Sequence, residues 1–407
     1  MTNTLREISP QGRGYIGWLG LLGVTVLLAL GAVAYMEHHG HVVTGMNNQI
    51  VWGLPHVFAV FLIVAASGAL NVASMASVFG KKDLKPLAPL SGVLSLGLLL
   101  GGLVVLLLDL GRPDRLIVAM THFNFKSIFA WNIFLYSGFM GLVVAYLWTQ
   151  LEHGKEHHTP AAGMAAFLWR MALTTGTGSI FGFLVARQAY DSALLAPLFI
   201  ALSLSYGMAV FTLVLLLAGR AGSRPLDDEL LCRFARLQII FISACLYFVL
   251  VYHLTNLYFT RHHDLERFLL LQGGFYTALF WLGQILLGSV MPMVLLRHKD
   301  IGKQRARIAA AALLVIAGGL TQMYVTIIGG QAFPLIIFPG YQVSSSFGDG
   351  AVATYTPSIP ELLLGLGGVA VAGLIVTLAV KVLRIVPERL VTDSARAAQA
   401  RTAAPTS

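Results

Sequence analysis

Ten apolar segments, each long enough to cross a lipid bilayer, take up most of this chain and leave little of it for anything else. A membrane-spanning helix needs about 20 mostly apolar residues. Such runs lie near residues 17–36, 50–79, 87–109, 127–149, 163–189, 193–219, 234–259, 268–296, 306–331 and 361–384. Only 11% of the residues are charged and the mean hydropathy is +0.77, far from the soluble average. The expected fold is an all-α integral membrane protein with about ten transmembrane helices, one helical domain spanning 17–384. Residues 1–16 would be a short cytoplasmic lead, and 385–407 an Ala-, Thr- and Arg-rich tail expected to be disordered.

The basic residues set an expected orientation. With the N-terminus inside and the sides alternating, only Arg112, Arg115, Lys126, Arg187, Arg261 and Arg267 fall outside, of 27 Lys and Arg. The rest, including Lys81, Lys82, Lys85, Arg170, Arg233, Arg305 and Lys381, fall inside. The positive-inside rule then puts both termini in the cytoplasm. Short basic loops facing anionic lipid also account for the net charge of +9 without any nucleic-acid partner. The first segment has no small-residue cleavage site and continues into a series of like segments, so it reads as a membrane helix and not a leader. Cys232 and Cys245 are too few to hold an iron–sulfur cluster, which takes four thiolates, and they lack zinc-ligand spacing. If the protein handles electrons, the metal centres belong to another subunit.

Two connections are long, 110–126 and 332–360, and both fall on the outer side. The second holds one acid, Asp349, no base, and many Pro, Gly and aromatic residues. Such a composition suits a folded cap with turns or a small hairpin, and an ordered outer loop of this kind invites a partner.

Polar and titratable side chains inside a bilayer are costly and mark functional positions. Most of them map to the outer third: His56 after Trp52; Asp109 and Arg112 ending the third segment; His122, Asn124 and Asn132 about the fourth; Arg187, Gln188, Tyr190 and Asp191 at the outer end of the fifth; Tyr252, His253 and Asn256 on the seventh; Gln322 and Gln331 on the ninth; Glu361 opening the tenth. The inner half offers mainly Ser67, Asn71, Ser74 and Ser77. A quinone headgroup fits the outer layer: it is flat and apolar, its two carbonyl oxygens need donors, and its reduction takes up two protons. Histidine suits proton exchange near ambient pH, and arginine supplies fixed positive charge.

Plainer readings stand beside these. DLGRPDR (109–115) also reads as a helix C-terminus in which Arg112 complements the dipole and pairs with Asp109. Ser358 and Glu361 have capping-box spacing, and His56 beside Pro55 reads as an interfacial histidine. Arg187 and His253 lie in apolar runs and need partners; Asp191, one helical turn on, is the nearest acid to Arg187. The serine stripe reads more readily as tight packing than as a proton wire, and Glu37-His38-His39-Gly40-His41 as a solvated loop more readily than a metal site.

LDLGRPDR (108–115) followed by THFNFKSIF (121–129) resembles the NrfD/PsrC family of quinone-reactive membrane subunits. NNQIVWGLPHVF (47–58), LLAPLFIALSLSYG (194–207), FYTALFWLGQILLGSVMPMVLL (275–296), FPGYQ (338–342) and TPSIPELL (356–363) are similar to further family stretches. The resemblance runs from about 40 to 385, and the ten-helix length points to the branch that serves hydrogenases and sulfite-reductase-associated complexes. It implies two four-helix bundles, helices 2–5 and 6–9, with flanking helices. It also implies no haem or metal in this chain, menaquinone or ubiquinone as redox partner, and a periplasmic ferredoxin-like iron–sulfur subunit docked outside on a bacterial inner membrane, alongside other membrane and cytoplasmic subunits. The family motifs fall on Asp109, Arg112, His122, Asn124 and Glu361. Arg187, Asp191 and His253 have no family counterpart, and their roles rest on chemistry alone.

The expected function is therefore that of a quinone-reactive membrane subunit of a multi-subunit respiratory oxidoreductase, exchanging electrons between the membrane quinone pool and a periplasmic iron–sulfur subunit in sulfur metabolism. His122 is the first candidate for proton exchange, His253 the second, and Arg112 the charge stabiliser. Asn124 would orient a carbonyl; Asp109, Asp191 and Glu361 would lead protons outward or pin the basic groups. A haem-b anchor would need facing histidine pairs, of which His56 and His253 supply one. A secondary transporter would need inverted repeats or broken midplane helices.

Overall fold

The computed structural model describes residues 5–6, 13–222, 226–336, 338, 341, 343–345 and 350–387. Ten long helices run through it: α1 (Arg13–His39), α2 (Leu54–Ser77), α3 (Lys82–Leu108), α4 (Ile128–Leu151), α5 (Thr159–Gly182), α6 (Leu195–Ala221), α7 (Asp228–Tyr258), α8 (Phe275–Leu296), α9 (Arg305–Ala332) and α10 (Ile359–Val382). All but α5 are long and apolar enough to cross a membrane. α5 has the length, 24 residues, but its glycines, threonines and Arg170 dilute its hydropathy.

Helices α2–α5 form one bundle and α6–α9 a second, joined where α2 packs on α6 and α9. The flanking helices α1 and α10 pack on each other, and α10 lies along α3 and α2. α2 is apolar on every side and buried throughout, as a helix enclosed by others should be. α1 shows most of its apolar surface to the outside, which in a bilayer is lipid. Association of apolar helices in lipid depends on close backbone approach at small residues. Gly68 of α2 and Gly207 of α6 meet in this way, and a Cβ on either would collide with the other helix's backbone.

α2 is broken at Leu70 into Leu54–Ala69 and Asn71–Ser77. The Ser91 hydroxyl of α3 enters the gap: it donates to the Ala69 carbonyl at 2.6 Å and accepts from the Ala73 amide at 3.1 Å. Ser95 donates to the Ala66 carbonyl at 2.7 Å. Hydroxyls from a neighbouring helix thus satisfy backbone groups that water cannot reach. The serine stripe faces the same region. Ser67 meets Thr174 at 3.0 Å, while Ser74 and Ser77 bond carbonyls of their own helix. Arg170, expected among the inner loop charges, is instead 2% exposed within the bundle. It donates to the Ser67 carbonyl and to Asn71 Oδ1.

Two short strands, β1 (Leu5–Arg6) and β2 (Val386–Pro387), pair antiparallel. Both ends of the described helical domain therefore lie on one face of the bundle, as ten helices running alternately up and down place them. The start of the expected tail is packed, with Ile385 and Val386 buried; residues 388–407 lie outside the described residues. So does much of the expected cap, including Asp349 and most of FPGYQ. The other face carries the 110–127 and 333–358 connections and is termed the loop face.

Gly207→Ala is expected to lower the thermal stability of the purified protein by about 1–3 kcal/mol, the usual cost of overpacking. Gly17→Ala on α1, where a Cβ meets nothing within 4 Å, serves as control. Equal melting temperatures for the two variants would show that the α2–α6 contact yields.

Candidate functional site

The segment that enters α2 is extended, so its backbone needs partners from elsewhere. Gln331 supplies them: its Oε1 accepts from the Val51 and Trp52 amides at 3.0 and 3.1 Å, and its Nε2 donates to the Trp52 carbonyl at 2.9 Å. Arg187 closes the clamp, donating to the Gln331 carbonyl at 3.1 Å and the Gln49 carbonyl at 2.7 Å. The expected Arg187–Asp191 ion pair gives way to this arrangement. The reason is local: α5 ends at Gly182 and not near 189, and in the turns that follow the Arg187 guanidinium is committed to the Gln331 and Gln49 carbonyls. Asp191 is half-buried, and its amide bonds the Arg187 carbonyl. Partial burial lowers the Arg187 pKa from its usual value.

The clamp fixes Trp52, and Trp52 in turn positions His56. Its indole stacks on the His56 ring at 5.9 Å with 22° between planes, and touches Phe129, Phe181 and Tyr190. Tyr190 is fully buried, donates to the Ile327 carbonyl, and is raised in pKa by that burial.

His56 and Asp109 meet at the loop-face ends of α2 and α3, with Nδ1 to Oδ2 at 2.7 Å. The Asp109 side chain is 1% exposed and that of His56 17%. Asp109 Oδ1 is buried with no hydrogen-bond partner, an uncommon state for a buried carboxylate. A carboxylate Asp109 accepts a hydrogen bond from Nδ1–H, which fixes the tautomer and makes Nε2 the accepting nitrogen. Asp109 thus pairs with His56 and not with Arg112. Arg112 is exposed and grips Asp114 through two bonds of 3.0 Å. That pairing raises the Arg112 pKa and lowers that of Asp114.

His122 and Asn124 are also exposed. His122 ends a short helical turn (Leu116–Thr121) and bonds the Thr121 hydroxyl at 2.9 Å, and Asn124 caps the Lys126 amide. Around them Phe123, Phe125, Phe129, Trp131 and Phe134 present exposed rings. The fold therefore puts His56 and Asp109 inside the protein, and Arg112, His122 and Asn124 on its rim.

Glu361 is fully buried at the start of α10. Its Oε2 accepts from the Ser358 and Gly45 amides, both at 2.8 Å, and its Oε1 accepts from the Tyr355 hydroxyl at 2.7 Å. The capping box with Ser358 is present. Tyr355 in turn accepts from the Leu54 amide at 2.6 Å. Glu361 thus ties α10, the loop before it and the start of α2 together. Burial, and then the Glu361 carboxylate, raise the Tyr355 pKa.

His253, at the loop-face end of α7, bonds Glu266 with Nδ1 to Oε2 at 2.7 Å. Glu266 escapes sequence reading because HHDLER (262–267) has the composition of an exposed turn. His262, Gln284 and Tyr355 escape it likewise, since nothing in their local pattern separates them from loop or packing residues. Among the described residues no group of three or more His, Cys, Asp or Glu is placed to hold a metal ion.

A family model described as "Polysulphide reductase, NrfD" matches residues 42–335. The chain belongs to the NrfD family. Full-length relatives agree. An Hdr-like menaquinol oxidoreductase integral membrane subunit of Archaeoglobus fulgidus is 29% identical over 91% of this chain and 94% of its own length. The C subunit of selenate reductase from Mesobacillus selenatarsenatis is 25% identical over 86% and 88%. The C chain of polysulfide reductase from Wolinella succinogenes is 26% identical over 70% of this chain and 96% of its own length. The NrfD match contains both histidine–carboxylate pairs and the Arg187–Gln331 clamp, while Glu361 and α10 lie beyond it.

Glu361→Ala would strand three donors, each costing about 1–3 kcal/mol when buried and unmet. A large fall in melting temperature is expected, with Tyr355→Phe giving a smaller one. Unchanged melting of Glu361→Ala would refute its role as a tie.

Proposed function

We propose that this NrfD-family chain is the quinone-reactive membrane subunit of a respiratory oxidoreductase, with the headgroup held at His56 and Asp109. One observation carries the reading: an imidazole fixed through Nδ1 by a buried carboxylate whose other oxygen has no partner. A quinol hydroxyl placed against His56 gives its proton to Nε2, and Asp109 stabilises the resulting imidazolium. In the reverse direction the same imidazolium protonates a quinone oxygen. Trp52 and Phe129 offer aromatic faces beside His56 for a flat ring, and the isoprenoid tail stays in lipid. The names of the relatives support quinol as substrate, one being a subunit of a menaquinol oxidoreductase.

The proton step is assigned to His56 and not to His122, because His122 is exposed and has no carboxylate behind it. Arg112, His122 and Asn124 take the rim: Arg112 adds positive charge near the headgroup, and Asn124 orders the loop that covers it. Arg187 positions Trp52 and His56 through the Gln49 carbonyl. Asp191 and Glu361 act on architecture, and His253 belongs to the second bundle. With both termini in the cytoplasm, the loop face is periplasmic. A ferredoxin-like iron–sulfur subunit docked there would receive the electrons while further membrane and cytoplasmic subunits complete the complex. Polysulfide reductase among the relatives favours a role in sulfur metabolism.

His56→Ala and Asp109→Asn should each lower quinol turnover by about 100-fold or more, the range of general acid–base catalysis. The partner subunits should still co-purify. Arg112→Ala and His122→Ala should lower it less. Saturable quenching of protein fluorescence by a quinol analogue should weaken in His56→Ala. Wild-type turnover in both His56→Ala and Asp109→Asn would sink the site.

A further inference from the structure

The second bundle contains a titratable centre that the quinone reading does not use. Glu266 is fully buried. Its Oε2 meets His253 Nδ1 at 2.7 Å and its Oε1 accepts from Asn256 Nδ2 at 2.8 Å. Asn256 Oδ1 in turn meets Nδ1 of His262 at 3.0 Å. Glu266 precedes α8, while His253 and Asn256 share α7. On its other side His253 lines a cavity of about 40 Å³ between α6, α7, α8 and α9. Its walls are mostly apolar, but Tyr252, Gln284, Gln322 and Thr326 also line it. These side chains and His253 offer a water there the two to four polar partners it needs. Gln284 lies in a π-helical stretch of α8, Leu279–Val290, and π segments inside helices often mark functional positions.

We propose that His253 and Glu266 form a proton-binding site in the second bundle that exchanges its proton with water in this cavity. Charge balance requires it. The ion pair of each side chain, among the described residues, is with the other. An isolated carboxylate in so dry a setting is costly, so the charge of Glu266 is cancelled by a proton on His253 or on Glu266 itself. The two side chains share that proton across one hydrogen bond of 2.7 Å. The groups facing it are Tyr252 and Asn256 from α7, His262 from the turn before Glu266, Phe280 and Gln284 from α8 and Gln322 from α9. None of these brings a fixed charge. Exchange moves one proton: the pair releases its proton to cavity water and is reloaded by a hydronium ion, which protonates His253 Nε2 and leaves as water while the proton on Nδ1 passes to Glu266 Oε2. Asn256 and His262 hold the carboxylate in place, and the Asn256 amide, which stands between His262 and Glu266, relays no proton. The site does not depend on the quinone assignment.

Infrared difference spectra of the purified full-length protein, recorded while titrating between about pH 5 and 8, the histidine range, test the proposal. The wild type should show a carboxylic-acid carbonyl band that titrates and shifts in D₂O. Glu266→Gln should remove the band, and His253→Gln should move its titration midpoint. Gln284→Leu fills the cavity wall without touching the pair. It should keep the band and slow its deuterium shift. A titrating band that survives Glu266→Gln, or no titrating band in the wild type, overturns the proposal. Should Glu266→Gln fail to fold, an unmoved midpoint in His253→Gln, or an unslowed shift in Gln284→Leu, overturns it equally. Quinol turnover lost in His56→Ala with this band intact would keep the two sites separate.

Discussion

A polar group inside hydrocarbon has no water to turn to, and the arrangement of this protein depends on how each such group is answered. The helices themselves solve the problem for most of the backbone. Where a helix is interrupted or begins late, side chains from other helices take over. Ser91 bridges the broken ladder of α2. Gln331 and Arg187 bind the extended entry to the same helix. Glu361 gathers two amides and a phenol at the loop face. In each case one side chain joins elements far apart in sequence, so the polar residues set the relative placement of helices that apolar contact alone would leave free to slide.

The completeness of the answer separates architecture from chemistry. Glu361 and Gln331 have partners on both side-chain polar atoms, which leaves neither much to offer a ligand. Asp109 is different: one oxygen holds His56 and the other, equally buried, holds nothing. Arg170 likewise has Nε unmet, but it lies deep between α2 and α5 with its other nitrogens on a carbonyl and an amide oxygen. An incompletely satisfied carboxylate behind a partly exposed imidazole is suited to accept a proton. An enclosed guanidinium that cannot deprotonate is suited to holding two helices in register. The same criterion moves the weight of the site from His122 and Arg112, which are exposed and bonded to Thr121 and Asp114, to His56 and Asp109.

Hydropathy makes the long helices legible, because a run of twenty apolar residues has few alternatives. It does not show where a helix stops when the residues beyond remain apolar. SIFGFLVARQAY reads as one helix to 189, yet the backbone leaves it at Gly182, and Arg187 turns to the Gln331 and Gln49 carbonyls in place of Asp191. The break at Leu70 is equally hidden, since its cause is a hydroxyl on another helix. DLGRP draws attention to Asp109 and Arg112 together, but only the fold decides that Asp109 turns inward to His56 while Arg112 turns out to Asp114. Glu266 leaves no trace at all: a partner thirteen residues away across a turn has no periodic signature.

The two histidine–carboxylate pairs share their chemistry and differ in their surroundings. His56 lies under a tryptophan and beside exposed aromatic rings, open to a flat, apolar molecule arriving from lipid. His253 is flanked edge-on by Tyr252 and Phe280 and lines a small cavity with room for water. A neutral pair of this kind can be buried cheaply and still change state by moving one proton, whereas a lone buried charge cannot. On the proposed reading, the pair in the first bundle serves an organic redox partner and the pair in the second serves water. Proton exchange can then proceed in the second bundle without opening the first to solvent, and the headgroup at His56 keeps the dry surroundings in which a fixed carboxylate acts most strongly on an imidazole.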